Sequence, residues 1–370
     1  MGAPLRILQV YPKDDYFTGA AIQLRELATG LTGRGHEVVV ATRPSETWAA
    51  KLREARIPHY ALPMKSEVDL GSVRYLVRIL RTHRIQVVHA QKGKARTLAM
   101  IAGLVTRIPV LILNRGVSFP LDPFNRLGYT TRRVTAIVAV CESIKRGLVA
   151  QRVPAEKIHV IYSGTDTDRF NPQVDGSGIR RELGLTPDHV LFTQIGVRSL
   201  RGNDDTIDAF ALVAARAPHA RLLIVGARGP RILHDRARAR GIDDRVHVLG
   251  YREDIPEILA GSDCCVDASY AGLGITGTLR EALAVETAAI ASDLEGNPEL
   301  VIDGETGLLF PPRDVPALAR AMLRMADEGA FRDATARAGR KLVEARFSTR
   351  AKLDAIEALY RRLLGARGPA

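Results

Sequence analysis

Short apolar, β-branched segments alternate with longer segments of helical periodicity along almost the whole chain. This alternation is typical of parallel sheets covered by helices. Because the pattern runs through both halves of the chain, we predict an α/β protein with two Rossmann-like domains. The predicted strands are Leu5–Tyr11, Val38–Thr42, Gln86–His89, Val110–Leu113, Ala136–Val140 and His159–Tyr162, followed by Val190–Gly196, Arg221–Val225, Val246–Leu249, Cys264–Val266, Ala288–Ala291 and Leu308–Phe310.

The length of 370 residues fits two domains of ordinary size. Glycine, asparagine and proline interrupt the periodicity at Ser163–Asn171, where the charge balance also changes, so the join is expected there. We predict a first domain at residues 1–167 and a second at residues 168–349. The segment Arg350–Leu364 is amphipathic and no strand follows it, so this final helix must pack on a domain that is already formed.

Positive charge is concentrated in the first half of the chain. The formal net charge is +12, and residues 1–170 contain 26 Lys+Arg against 13 Asp+Glu, whereas residues 171–370 contain 27 against 28. Arg74, Arg78, Arg81 and Arg84 fall on one predicted helical face, which favours contact with an anionic membrane surface. Aromatic residues make up only 5% and are not interleaved with the basic ones, so a nucleic-acid partner is not expected.

The cysteines and the most apolar stretch exclude several other classes. Three cysteines, at positions 141, 264 and 265, are too few for a disulfide framework or a four-ligand zinc site, so we expect buried, reduced thiols. The stretch Leu98–Leu113 is broken by an arginine and a proline and is shorter than the ~20 residues of a membrane span. With no export signal visible at the start, these features predict a cytoplasmic protein, able to rest on the inner face of the cell membrane.

A turn of small residues follows the first predicted strand. In Tyr16–Ala21, Gly19 would let backbone N–H groups at the start of a helix approach a phosphate or a sugar. A plain structural turn is the alternative. No G-x-G-x-x-G sequence follows any strand, so the turn does not indicate a dinucleotide site.

Two further turns follow strands of the second domain. Arg198 and Arg201 come directly after its first strand, where paired guanidinium groups suit a diphosphate; two solvated arginines are the alternative. The turn Gly272–Thr278 is rich in Gly and Thr and opens a helix, so its free N–H groups could hold a pyrophosphate while Glu281 accepts hydrogen bonds from ribose. An ordinary capping turn is the alternative here.

These segments resemble the retaining family 4 glycosyltransferases of the GT-B fold, and the resemblance covers almost the whole chain. It rests on Thr18-Gly19, Arg34–Val38, Val87–Ala90, Ile137–Glu142, Val160–Phe170, Glu295–Val301 and Asp303–Leu309. The resemblance implies two Rossmann-like domains that face each other across a cleft, with the final helix, about 350–370, returning to the N-terminal domain. The nucleotide-sugar donor would bind the C-terminal domain and the acceptor the N-terminal one.

The resemblance also implies roles for individual residues. Arg198 and Arg201 would offset charge on the departing diphosphate, and the Gly19 backbone would lie near the donor phosphate and the acceptor. The donor would be bound by Gly274, Thr276, Gly277, Thr278, Glu281 and Glu299. From its position alone, Glu299 could instead complement a helix dipole.

The implied reaction is transfer, with retention, from a nucleoside-diphosphate sugar to a lipid-linked or saccharide acceptor in lipopolysaccharide or other surface polysaccharide assembly. Arginines and a helix dipole can stabilise the leaving group, so neither a metal nor a separate cofactor is expected. Asp166-Thr167-Asp168 resembles a D-x-D metal motif, but its place in the interdomain turn argues against metal binding. His89 could touch the sugar or be satisfied by neighbours at a strand end.

Three positions depart from the family pattern. Ala20 stands where a second glycine is common, Arg115 where a histidine is common, and Ala271 where an acidic residue usually contacts the donor sugar. The loss at Ala271 motivates one alternative, a catalytically silent nucleotide-sugar-binding protein. A nucleotide-sugar epimerase of the same fold is the other.

Overall fold

The computed structural model describes residues 3–16, 18–227, 229–271 and 274–366. The chain divides into two compact units, one of residues 1–164 together with 349–370 and one of residues 165–348. The chain leaves the first unit after Gly164, slightly before the predicted boundary at residue 167, and returns to it at Thr349. Each unit contains one parallel sheet with helices packed on it, which confirms the predicted fold class.

The first unit contains a seven-stranded parallel sheet in the order β3-β2-β1-β4-β5-β6-β7. Its strands are β1 Arg6–Tyr11, β2 Glu37–Thr42, β3 His59–Ala61, β4 Val87–Ala90, β5 Val110–Arg115, β6 Ala136–Ala139 and β7 Ile158–Val160. Its helices are α1 Gly19–Gly33, α2 Glu46–Glu54, α3 Leu70–Thr82, α4 Gly93–Val105, α5 Pro123–Thr130, α6 Glu142–Ala150 and, at the end of the chain, α14 Thr349–Gly365. The direction in which strands are added reverses between β1 and β4.

The second unit contains a six-stranded parallel sheet in the order β10-β9-β8-β11-β12-β13. Its strands are β8 Val190–Ile195, β9 Ala220–Val225, β10 Val246–Leu249, β11 Cys264–Asp267, β12 Ala288–Ser292 and β13 Leu308–Phe310. Its helices are α7 Ser177–Glu182, α8 Asn203–Ala214, α9 Arg231–Ala239, α10 Ile255–Ala260, α11 Gly277–Ala284, α12 Val315–Asp327 and α13 Gly329–Leu342, and a π-helical turn, Val343–Phe347, follows α13. Here the direction of strand addition reverses between β8 and β11.

All twelve predicted strands are present, and no end differs from its predicted position by more than two residues. The central strands are buried on both faces because helices cover both sides of each sheet, which is why they read as continuous apolar runs. Strand β3 was not predicted because it has three residues, none of them buried, and so gives no hydrophobic signal. The three cysteines are buried, as expected.

The last helix, α14, completes the core of the first unit. Its apolar face is buried with residues of α1, β1 and β2, and its buried residues are Leu353, Ile356, Leu359 and Tyr360. The close approach of α14 to α1 depends on Gly30, because a Cβ there would lie 2.5 Å from a Leu353 methyl group. Within the part of the chain that the structure describes, no helix has the length and hydropathy needed to span a membrane.

Candidate functional site

In the second unit, the carboxyl ends of β8 and β11 flank the point where the direction of strand addition reverses. Ligands of open α/β sheets bind in the crevice at such a point, because the loops that follow the two strands diverge there. The loop between β8 and α8 contains both predicted arginines, and the loop between β11 and α11 contains the Gly/Thr-rich turn. The sheet topology therefore brings two of the predicted segments to one place.

The two arginines of the β8–α8 loop have different environments. The Arg198 side chain is exposed, and partial desolvation followed by the nearby Arg201 charge lowers its pKa. Arg201 is 3% exposed, and its Nη1 lies 2.9 Å from Asp267 Oδ2 in a buried ion pair. Its Nη2 donates to the Ile195 carbonyl at 2.8 Å. Arg201 therefore does not present the open guanidinium that the sequence led us to expect, whereas Arg198 does.

Asp267, which was not predicted from the sequence, connects the loops that follow β8 and β11. It ends β11 and accepts hydrogen bonds from Arg201 and from the Ser269 backbone N–H, at 2.9 Å each. Burial raises the pKa of Asp267, but the Arg201 charge and the hydrogen bonds from Ser269 and Thr276 outweigh it, so the pKa lies below its ordinary value. The sequence signal was a carboxylate at the end of an apolar strand, a position where an unpaired charge is costly.

Helix α11 begins at this cluster, with Thr276 as its N-cap residue. Thr276 Oγ1 lies 3.4 Å from Arg201 Nη1, and within the described residues its side chain makes no capping hydrogen bond to the helix. Among the described residues, the N-cap side chain thus leaves the N–H groups near Gly277 and Thr278 without a cap. Glu281 lies one turn later, and its Oε1 would be 3.7 Å from a Cβ placed at Gly277.

Buried Arg280 fixes the turn that precedes α11. Its Nη1 donates to the Ile275 carbonyl at 3.0 Å, and its Nε donates to Thr165 Oγ1 at 3.3 Å. Ile275 and Gly274 are half-buried, whereas Gly272 and Leu273 of the predicted turn lie outside the described residues. The start of α11 is therefore held by two buried arginines, Arg201 and Arg280, and not by a conventional capping side chain.

The loops after β8 and β11 also contact each other directly. The Tyr270 backbone N–H donates to the Leu200 carbonyl at 3.0 Å. Gly202, the N-cap residue of α8, has φ +65, and a Cβ at this position would collide with the Ala268 carbonyl, so only glycine fits. Ala271, where the family pattern has an acidic residue, is half-buried and follows Tyr270 directly.

Glu299 lies on the loop of the neighbouring strand. It ends a 3₁₀ turn, Asn297–Glu299, that follows β12, and its side chain is half-buried. Ser292 Oγ, at the end of β12, donates to the Ser269 carbonyl at 2.6 Å, and Asn297 Nδ2 donates to the Ser292 carbonyl at 3.1 Å. The loop that bears Glu299 is thus attached to the loop after β11.

In the first unit, Gly19 lies where strand addition reverses between β1 and β4. It is the first residue of α1, it is exposed, and a Cβ placed on it would meet no atom of the described residues within 4 Å. The preceding residue, Thr18, is the N-cap, and its hydroxyl donates to Asp15 Oδ1 at 2.5 Å and accepts from the Ala21 N–H at 3.4 Å. Phe17 lies outside the described residues. Within the described part of the chain, no contact requires glycine at position 19.

His89 is buried near the carboxyl end of β4. Its Nδ1 shares a 2.7 Å hydrogen bond with the Tyr360 hydroxyl of α14, and its Nε2 has no partner among the described residues. Burial, followed by the Lys352 charge, lowers the pKa of His89 to about 3, so the ring is neutral at physiological pH. Its neighbours therefore satisfy one of the two ring nitrogens. His89 lines a small cavity, about 20 Å³ in volume, together with Gln91, Asn114, Tyr162, Ser163 and Lys352.

Asp166 has a structural role in the segment that enters the second unit. Its Oδ1 accepts hydrogen bonds from the backbone N–H groups of Asp168 and Arg169, at 3.1 and 3.2 Å. The carboxylate thus closes a local turn. Across the described residues, no group of three or more His, Cys, Asp or Glu side chains is arranged to hold a metal ion.

Two family models match consecutive parts of the chain. The model described as Glycosyltransferase Family 4 matches residues 17–169, and the model described as Glycosyl transferases group 1 matches residues 188–328. The first match contains Gly19, and the second contains Arg198, Arg201, the start of α11 and Glu299.

Individual proteins extend the similarity. The chain is 23% identical to the α-D-kanosaminyltransferase of Streptomyces kanamyceticus, over 92% of this chain and 98% of that protein. It is 29% identical to the lipopolysaccharide core biosynthesis mannosyltransferase LpsB of Rhizobium meliloti, over 55% of this chain and 61% of that protein. The crystal structure of Anabaena HepE in complex with UDP superposes with a TM-score of 0.85 and 21% identity, covering 97% of this chain and all of that one.

Proposed function

Because the chain belongs to the family 4 glycosyltransferases and has the GT-B fold, we propose that it transfers a sugar from a nucleoside-diphosphate sugar to a lipid-linked or saccharide acceptor. The observation that carries this proposal is the cluster between β8 and β11, where the Arg198 charge acts on Arg201 and Arg201 Nη1 lies 3.4 Å from Thr276 Oγ1 at the start of α11. A diphosphate is the chemistry that such a site suits best, since guanidinium groups and free backbone N–H groups both bind phosphate oxygens.

In the proposed complex, the exposed Arg198 guanidinium contacts the diphosphate directly. The N–H groups at Gly277 and Thr278 bind the same phosphates at the positive end of the α11 dipole, with Gly274 and Thr276 in the turn before them. Arg201 is buried and contributes its positive charge without contacting the diphosphate. Its ion pair with Asp267 fixes its position. Glu281 then accepts hydrogen bonds from the ribose, and Glu299, on the next loop, contacts the donor.

These groups match the charge that develops as the bond between sugar and diphosphate breaks. Negative charge accumulates on the leaving diphosphate, and preorganised donors stabilise it more in the transition state than in the ground state. We propose that this electrostatic stabilisation supports transfer with retention and without a metal ion. The anomeric configuration of the product, measured by NMR, and unchanged turnover after treatment with EDTA would test these two points.

The first unit would bind the acceptor, with the Gly19 backbone as part of the acceptor site. An exposed glycine whose Cβ would meet no described atom within 4 Å leaves space that a substrate can fill. The similarity to a lipopolysaccharide core mannosyltransferase supports an acceptor in lipopolysaccharide or related surface polysaccharide assembly. Because HepE binds UDP, uridine diphosphate sugars are the first donors to test.

The decisive experiment is ligand-dependent stabilisation of the purified protein. UDP, GDP and ADP, and then their sugars, are added in a thermal-shift assay; a ligand at 100 times its Kd stabilises by ~2.7 kcal/mol. Arg198→Ala and Glu281→Ala should each abolish the shift, while Arg231→Ala, an exposed arginine on α9, should leave it unchanged. If both variants respond to the same ligands as the parent protein, the site assignment is wrong.

A second candidate, a catalytically silent nucleotide-sugar-binding protein, is favoured by Ala271. Such a protein would show the thermal shift but no turnover, and Ala271→Glu would then create activity. A nucleotide-sugar epimerase would convert the donor with no acceptor present. Release of free nucleoside diphosphate only after an acceptor is added would support the transferase and exclude both alternatives.

A further inference from the structure

Positive charge within the first unit is concentrated in one segment. Residues 70–141 contain 12 Lys+Arg and a single acidic residue, Asp122. This segment includes three consecutive helices, α3, α4 and α5, and the strands between them. The ratio of basic to acidic residues is therefore higher in this segment than in the first half of the chain as a whole, and the basic residues lie on neighbouring elements.

Helix α3 is amphipathic, and its exposed face mixes arginine with apolar side chains. Val73, Leu76, Ile79 and Leu80 are among its buried residues. Its exposed face contains Arg74, Arg78 and Arg81, together with Leu70, 73% exposed, and Tyr75, 55% exposed. Arg84, expected on the same face, lies beyond the end of the helix and has φ +47, so it does not belong to this face.

The last turn of α4 continues this face. Arg81 Nη2 donates to the Val105 carbonyl at 3.2 Å, so the ends of the two helices are in contact. Leu104 and Val105 are 64% and 61% exposed. On the other side of the turn, Arg133 Nη1 donates to the Gly103 carbonyl at 3.2 Å. Two large apolar side chains thus project into solvent between two arginines.

A groove of about 180 Å³ lies beside this turn. Apolar residues and a glycine form most of its lining, and two exposed arginines, Arg132 and Arg133, complete it. The other lining residues are Ala99, Met100, Gly103, Ile108 and Leu111. Apolar surface next to guanidinium groups matches a lipid with an anionic headgroup, because the acyl chain and the phosphate need these two kinds of contact.

We propose that α3, the last turn of α4 and this groove form a surface that binds an anionic lipid bilayer. This lipid-facing surface consists of Leu70, Arg74, Tyr75, Arg78, Arg81, Leu104, Val105, Arg132 and Arg133. The apolar side chains enter the interface, and the arginines bind lipid phosphates while their methylene groups remain in the apolar layer. The inference rests on the proposed function only for its purpose, which is to hold the enzyme where a lipid-linked acceptor is found.

Charge complementarity favours a bilayer over a protein partner or free phosphate. An interface between proteins is usually depleted of charge at its centre, whereas this surface exposes three arginines and two large apolar side chains within 13 residues of helix. A site for free phosphate would need no exposed Leu104 or Val105. The bilayer uses both kinds of group at once.

Vesicle flotation tests the proposal without any sugar transfer. Vesicles of phosphatidylcholine alone are compared with vesicles that contain phosphatidylglycerol as well, at low and at high salt. We expect at least roughly tenfold more protein on the anionic vesicles at low salt, with a marked decrease at high salt because exposed charges are screened. The variant L104E/V105E and the variant R74E/R78E/R81E should each lose most of this binding.

The second unit supplies a matched control. Ile232 is 75% exposed on α9 next to the exposed Arg231, so R231E/I232E makes the same types of change outside the proposed surface and should bind as the parent protein does. Thermal melting of each variant checks that it is folded. The donor-site variant Glu281→Ala should float normally, so that loss of the proposed enzymatic function and loss of lipid binding remain distinguishable.

Four results would overturn the proposal. Equal binding to neutral and anionic vesicles would exclude recognition of charge, and unchanged binding of L104E/V105E would exclude this surface. If inorganic phosphate displaced the protein from the vesicles at constant ionic strength, the groove would be a site for free phosphate. Self-association of the parent protein that is lost in L104E/V105E, with no flotation, would assign the surface to a second copy of the chain.

Discussion

Arg198 and Arg201 lie three positions apart in the sequence, yet the fold gives them opposite environments. Arg198 is exposed at the carboxyl end of β8, and Arg201 is buried against Asp267. A buried ion pair and an exposed arginine differ in what their removal does, because only the first leaves an uncompensated charge in the interior. Stability measurements can therefore separate two roles that the sequence presents as one.

Arg201→Ala should destabilise the second unit by about 3–5 kcal/mol, since Asp267 would lose its only ion-pair partner within the described residues. Arg198→Ala should change the free energy of unfolding by no more than about 0.5 kcal/mol. Urea unfolding measures both. Similar stability losses in the two variants would contradict the environments described above.

His89 should make the stability of the protein depend on pH in the acid range. Burial and then Lys352 depress its pKa from 6.5 to about 3 in the folded state, so protonation favours the unfolded chain. The contribution of a neutral His89 is complete above pH ~6.5 and is lost as the pH falls toward 3, with a slope of up to about 1.4 kcal/mol per pH unit.

Denaturant unfolding of the parent protein and of His89→Gln at several pH values measures this effect. The difference in unfolding free energy between the two should decrease as the pH is lowered from 7 to 4, because glutamine does not titrate. A difference that stays constant over this range would show that the imidazole is not held neutral in the folded state.

At the scale of the element, glycines in helices have two distinct meanings here. Gly30 of α1 allows α14 to approach, whereas a Cβ at Gly147 of α6 would meet no atom within 4 Å in the part of the chain that the structure describes. Packing requires the glycine at position 30. The glycine at position 147 only increases the conformational entropy of the unfolded chain.

Gly30→Ala should destabilise the protein by about 1–3 kcal/mol, because the added methyl group overlaps Leu353 and forces α14 away from α1. Gly147→Ala should stabilise it by about 0.4–1 kcal/mol. Thermal or urea unfolding of both variants gives the comparison, and Gly30→Ala together with Leu353→Ala should recover part of the overlap cost. If Gly30→Ala stabilised the protein as Gly147→Ala does, the described packing of α14 would be wrong.

At the scale of the whole molecule, the chain completes its first unit with its last helix. Unit one includes residues 349–370, and α14 buries Leu353, Ile356, Leu359 and Tyr360 in its core. The N-terminal residues therefore depend on a segment that is synthesised after the entire second unit.

Truncation after Ser348 should expose the face of α1 and β1 that α14 covers. Hydrogen exchange should then show faster exchange of amides in α1, β1 and β2, while amides of β8, β9 and β11 keep their protection. The second unit serves as the internal reference in the same sample. Equal loss of protection in both units would contradict this prediction, because it would show that the second unit also depends on α14.

The sequence determined much about this protein because local patterns report burial directly. Continuous β-branched runs predicted twelve of the strands in the two sheets. Turns of small or basic residues at strand ends indicated the places where the direction of strand addition reverses. The charge excess of the first half was also readable. These features can be recognised from the sequence alone, since each depends on neighbouring residues along the chain.

Only the tertiary structure decided which side chains meet. Asp267 is 66 positions from Arg201, and Tyr360 is 271 positions from His89, and no periodicity connects residues at such distances. The strand order places β8 beside β11, and that placement turned one of two similar arginines into half of a buried ion pair and left the other exposed. The environment of a charged side chain is a property of everything packed around it, so its chemistry could not be obtained from the residues beside it in the chain.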